Sequence, residues 1–195
     1  MSATLSRATA RSSGLRLACC GLLLMAAVSI CQAQESSVRV QRRGEMVVVD
    51  VEVSVATSLQ DAWSTMTDYE HMASFVSNLK ASQVLRREGN ELEVAQSGQT
   101  KVAFMTFSFA VTRRIELLPM REIRSELLRG DFKTYSSTTT LTDESPHVRI
   151  VHHGEYMPKA WLPPMIGPAV IEFETRKQYT DFAAEMMRRT TAVRR

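Results

Sequence analysis

The sequence predicts an α+β domain: a seven-stranded curved antiparallel sheet, two short helices, and one long C-terminal helix packed across the concave face. Three observations lead there. Within residues 46–55, Val47, Val49, Val51, Val53 and Val55 alternate with Asp50, Glu52 and Ser54, which is the period of a half-buried strand. Residues 79–156 are then broken by turn signals into six more strand-like segments. Beyond Pro158 a proline-containing loop leads into a helical run that ends near Arg189.

Ahead of the domain the chain reads as an export signal. Arg7, Arg11 and Arg16 make a positive leading region, and residues 17–30 form an uncharged apolar run. Cys31 and Ala33 then supply small residues three and one positions before a cleavage point between Ala33 and Gln34. An uncleaved anchor needs about 20 apolar residues, more than this run offers. A lipoprotein needs a lipobox, and Arg16 before Cys19 and Ile30 before Cys31 do not make one. The predicted organisation is a signal peptide over residues 1–33, a polar leader over 34–45 and one domain over 46–190. Secretion across the inner membrane into the periplasm is the expected outcome.

Removing residues 1–33 has two chemical consequences. Cys19, Cys20 and Cys31 all lie in that segment, so the predicted mature chain has neither disulfide nor thiol nucleophile. The formal charge of +3 disappears as well, because three of the 24 basic residues are the signal arginines and the acidic residues number 21. A neutral chain without a basic stripe interleaved with aromatics is not expected to bind nucleic acid. About 160 residues remain, enough for one domain with a substantial core.

The elements follow in order. Ser58 with Asp61 forms a capping pattern for a helix over residues 59–67, and a second short helical stretch covers 69–77, with Met72, Phe75 and Val76 at helical spacing. Turn signals at Gly89-Asn90, Ser97-Gly98, Leu118-Pro119, Gly130-Asp131 and Ser145-Pro146 delimit strands at 79–87, 91–96, 101–117, 121–129, 133–142 and 147–156. Short connections imply an antiparallel meander. In the last helix, Ile166, Ala169, Val170 and Phe173 form one apolar stripe, and Phe182, Ala183, Met186 and Met187 a second one displaced around the axis. Pro168 suits its first turn.

Two stretches carry a family resemblance. Residues 51–85, VEVSVATSLQDAWSTMTDYEHMASFVSNLKASQVL, and residues 161–186, WLPPMIGPAVIEFETRKQYTDFAAEM, resemble the START-like or helix-grip superfamily. The likeness is closest to its polyketide cyclase/dehydrase and coenzyme Q-binding branch. The resemblance implies a hydrophobic cavity between sheet and helix that holds a lipid, an isoprenoid quinone or a polycyclic compound. It transfers no catalytic residue.

Alternation along the strands places Met105, Phe107, Phe109, Ile123, Leu127, Tyr135, Val148 and Ile150 on the inner face, joined by Phe173 from the helix. Such residues line a cavity or fill a core. His152 continues the same face towards Tyr156, which makes the two candidates for an acid/base or hydrogen-bonding pair. Ser125, Ser137 and Thr139 fall on inner faces as well and are candidate partners for a polar head group. His152 and His153 are adjacent and so point to opposite faces, and no HExxH or CxxC spacing exists, so no metal site is expected. No glycine-rich phosphate loop and no GxSxG elbow is present, and no cofactor is implied. Trp161 is placed to gate the cavity, to touch a membrane surface transiently, or to close the core beneath the helix.

The expected function is an exported binding or carrier protein for a hydrophobic small molecule. Two other classes remain open from sequence: a cyclase or dehydratase acting on a polyketide-like substrate, and an envelope interaction module with a filled core.

Overall fold

The computed structural model describes residues 36–102, 105–159 and 167–193, so the expected signal segment and Trp161 lie outside the described residues. The valine alternation forms strand β2 (Met46–Val55), with Val47, Val49, Val51, Val53 and Val55 all buried. Its partner is unexpected. Ser36–Arg43, read from sequence as a leader, is strand β1, paired antiparallel with β2 from Ser36↔Val53 to Arg43↔Met46. The sheet therefore has eight strands rather than seven. β1 carries only Val38 and Val40 as inward apolar residues, while Arg39 and Arg43 face solvent, as suits an edge strand protected by charge.

Helix α1 (Leu59–Met66) starts at the expected cap, where the Ser58 hydroxyl accepts from the Asp61 amide at 3.0 Å. Helix α2 (Met72–Phe75) is a single turn. The meander then runs β3 (Leu79–Glu88), β4 (Glu91–Val102), β5 (Met105–Leu118), β6 (Glu122–Gly130), β7 (Phe132–Glu144) and β8 (His147–Pro158). Lateral order is β1-β2-β8-β7-β6-β5-β4-β3, all antiparallel. The expected break at Ser97-Gly98 is absent, because β4 continues through it to Val102.

Gly98 serves close approach instead of a turn. A Cβ there would overlap the Asn78 carbonyl oxygen and the Phe109 ring, so the backbone of β4 touches both only because no side chain intervenes.

The long helix α3 (Gly167–Val193) has Pro168 in its first turn and packs against β1, β2, α1 and α2. Among the described residues no helix is long and apolar enough to cross a membrane. The core lies where the C-terminal half of α3 meets the sheet and the short helices. Phe182, Ala183 and Met186 are buried there together with Ala62, Met66, Val76, Val94, Ile115 and Val148.

Polar ties reinforce this junction. Arg189 bridges Asp68 at 2.7 Å and Glu185 at 2.8 Å. The Asp181 carboxylate accepts from the amide and the hydroxyl of Ser77 at 2.9 and 2.6 Å, and the Thr190 hydroxyl donates to Asp61 at 2.8 Å. Substituting Gly98→Val forces a side chain into the space of a backbone carbonyl and an aromatic ring, and is expected to lower unfolding free energy in urea by about 2–3 kcal/mol.

Candidate functional site

The N-terminal half of α3 meets the sheet at Tyr179, beside the His152 ring, and at Arg176, which donates to the Ser36 carbonyl at 3.5 Å, and leaves a space beside these contacts. Gly167, Val170, Ile171, Glu174, Thr175, Gln178, Tyr179 and Phe182 follow one another at alternating steps of three and one, a single helical face, and all border a cavity of about 410 Å³. The sheet supplies Phe107, Phe109, Ile115, Ile123, Tyr135 and Tyr156, and the segment around α1 and α2 supplies Met66, Tyr69 and Met72. A larger hollow of about 720 Å³ lies among the outer turns near Gly89 and Pro119. It is lined mainly by charged side chains such as Glu88, Glu91, Glu116 and Arg121, and so offers no apolar enclosure.

The inner cavity is apolar on most sides and polar on one. Arg113 of β5 reaches inward, donating from Nη1 to the Ser125 hydroxyl at 3.3 Å and to the Tyr135 hydroxyl at 3.1 Å, and from Nη2 to Gln96 Oε1. Its guanidinium also lies 5.3 Å from the centre of the Tyr135 ring. Tyr135 in turn donates to Ser137 at 3.3 Å, and Gln96 donates to Ser82 at 3.0 Å. Among the described residues every hydrogen-bond partner of this cation is neutral, and its buried Nε has no acceptor.

His152 is the second polar feature. Its Nδ1 lies 2.8 Å from the Thr139 hydroxyl, its partner in the β7–β8 register, and its ring rests 5.8 Å from that of Tyr179. Burial, followed by the positive charge of Arg113, pulls its pKa down to about 4, so the imidazole is neutral near pH 7. Burial raises the Tyr156 and Tyr179 hydroxyls above the usual tyrosine range. Tyr156 stacks on Tyr135 at 6.1 Å and meets Phe132 edge-on at 5.3 Å, with no hydrogen bond to His152. Gly154 separates the two along β8, and a side chain there would press on the His152 ring. His153 points outward to Asp50 at 2.7 Å.

The structure brings Phe107, Phe109, Ile123, Tyr135, His152, Tyr156, Ser125, Ser137 and Thr139 together around the cavity. Four expected lining residues do not reach it. Phe173 is 65% exposed, because it sits on nearly the opposite side of the helix from the face that borders the cavity. Val148 and Ile150 pair with Val55 and Val53, where the chain turns into α1, and are wholly enclosed in the core. Leu127 lies beyond Glu126↔Ser136, the last pair between β6 and β7, and does not border the cavity although its β5 partner Arg113 does. Trp161 and the side chain of Met105 fall outside the described residues.

Arg113, Gln96 and the polar helix residues Glu174, Thr175 and Gln178 were not expected. For Arg113 the signal was present: the parity that carries Phe107 and Phe109 inward carries residue 113 inward too.

A sheet wrapped round a long helix, with a ligand-sized space between them, defines a helix-grip protein. The chain belongs to the polyketide cyclase/dehydrase and lipid transport family, whose model matches residues 55–183, and thereby to the START-like superfamily. Among solved structures it is similar to the Zhui aromatase/cyclase from Streptomyces sp. R1128, at 19% identity and TM-score 0.62, covering 74% of this chain and 95% of that one. It is also similar to a STAR-related lipid transfer protein from Xanthomonas axonopodis, at 12% identity and TM-score 0.63, covering 80% and 94%. A major latex-like protein from Panax ginseng matches at 9% identity and TM-score 0.56, covering 73% and 99%. At these identities the likeness speaks for the fold alone. Among curated proteins no sequence relative matches.

The depressed His152 pKa has a stability consequence. Between about pH 6.5 and pH 4 the unfolded chain takes up a proton on this residue that the folded chain refuses, so stability is lost as pH falls through that window. The loss is expected to be about 2 kcal/mol, less than the whole shift implies because the residue is only partly buried. Denaturant titrations of wild type and His152→Gln across this range check it, since the contribution should vanish in the variant.

Proposed function

We propose that the protein binds or carries a hydrophobic small molecule, such as a lipid, an isoprenoid quinone or a polycyclic compound, in the cavity beneath α3. The observation that carries this reading is the continuous helical face from Gly167 to Phe182, which borders an open space where a filled core would bring it onto the sheet. An envelope module with a filled core would have no such space.

Two features favour binding over catalysis. His152 is neutral near pH 7, so it lacks the extra proton of an imidazolium general acid, and its Nδ1 is engaged by Thr139. Tyr156 is held protonated, and its ring packs against Phe132 and Tyr135. The family description spans both cyclase and lipid-transport roles. The chemistry of this cavity suits the second.

The proposal includes export, on the basis of the signal pattern in residues 1–33. Full-length protein expressed in a Gram-negative host should be recovered from the periplasm with Gln34 at its N-terminus by intact-mass measurement. Recovery from the cytoplasm with residues 1–33 intact would remove this part of the reading.

Ligand binding is tested by native mass spectrometry with solvent extraction, and by Nile red fluorescence. An apolar molecule at close to one equivalent, or saturable Nile red binding, is expected. Ser137→Phe places an aromatic ring in the cavity and should weaken Nile red binding about tenfold or more with circular dichroism unchanged. Absence of any bound species and of dye binding would sink the proposal.

A further inference from the structure

Arg113 is a cation enclosed by neutral groups. Of its five N–H donors, Nη1 uses two on Ser125 and Tyr135 and Nη2 uses one on Gln96, which leaves Nε–H and one Nη2 hydrogen unengaged. Among the described residues no carboxylate oxygen lies within 4.0 Å of its nitrogens. The two carboxylates that border the same cavity are committed elsewhere. Asp131 accepts the Ala110 amide at 2.7 Å, and Glu174 accepts from Asn78 at 3.4 Å.

Enclosing a charge without a counter-charge is strongly unfavourable, and enclosed cations are ordinarily paired. A polar cluster that holds the guanidinium in place while leaving its charge unanswered is arranged for a group that arrives from outside. The charge of Arg113 also reaches the rings of His152, Tyr69 and Tyr179, so the cavity interior is positive at this pole.

We propose that the ligand is an amphiphile with a carboxylate head, that Arg113 pairs with that head, and that Gln96, Ser125 and Tyr135 hold the guanidinium in position for it. This rests on reading the cavity as a ligand site. A carboxylate matches the planar donor edge and brings the single negative charge that one cation balances. A phosphomonoester brings about two, with Asp131 and Glu174 already bordering the space and no second lysine or arginine among the described lining residues. A neutral alcohol or ester leaves the cation unanswered.

The test titrates delipidated protein with decanoate, methyl decanoate and decyl phosphate, following Nile red displacement. Wild type should bind decanoate at least about tenfold more tightly than methyl decanoate, with decyl phosphate weaker than decanoate. Arg113→Met should weaken decanoate alone and bring acid and ester within about twofold of each other, and Arg113→Lys should restore part of the difference.

If wild type binds ester as tightly as acid, or if Arg113→Met weakens both equally, the carboxylate assignment falls while the hydrophobic cavity stands. Tightest binding of decyl phosphate likewise overturns it. If none of the three probes nor Nile red binds, both this inference and the binding function fall together. Should Arg113→Met fail to fold, the wild-type ratio of acid to ester decides by itself.

Discussion

The cavity depends on where α3 is held. Its C-terminal half is clamped by buried Phe182, Ala183 and Met186, by the edge-on contact of Phe182 with Phe75 at 5.8 Å, and by the Arg189 bridge to Asp68 and Glu185. Those contacts pin the helix against α1 and α2 at one end of the sheet. Rigid over its length, the helix then carries its N-terminal half across the concave face at a distance that its own side chains do not fill. The open space is thus a by-product of a strong anchor at one end and small or polar residues, Gly167, Glu174, Thr175 and Gln178, at the other.

The sheet answers this geometry with a graded surface. Towards the clamp its inner face is aliphatic and closed, with Val94, Val148 and Ile150 scarcely exposed. Away from the clamp it becomes aromatic and hydroxylated, through Tyr135, Tyr156, Ser125, Ser137 and Thr139. Arg113 stands within this gradient, held by neutral partners that fix its position without cancelling its charge. His152 is neutral near pH 7, because desolvation and the positive charge of Arg113 act on the imidazole in one direction. A site of this kind discriminates by charge and shape.

Much of the fold was legible in sequence because its signals are local. The valine alternation of β2, the Ser58 cap and the turns at Gly89, Pro119, Gly130 and Pro146 each depend on neighbours within a few residues. What was misread depended on distant partners. β1 looked like a leader because its strand character comes from pairing with β2, with only two valines of its own to announce it. Gly98 looked like a turn because its reason for being glycine is the approach of Asn78 and Phe109. Apolar periodicity does not mark the cavity face of α3, because that face is half polar and the exposed Phe173 lies off it.

By itself the sequence determined the class of fold, the order of its helices and all but one of its strands, and the inward parity of each strand, since periodicity and capping act through nearest neighbours and survive without tertiary context. The tertiary structure decided which inward residues surround space and which fill it. Ile150 and His152 have the same parity on the same strand, yet one is sealed in the core and the other borders the cavity, because α1 and the clamped half of α3 cover only one end of the sheet. It also decided that Arg113, ordinary in sequence, is held by neutral groups, with no carboxylate oxygen of the described residues within 4.0 Å. Whether a charge is answered is a property of three-dimensional neighbours, and no local pattern encodes it.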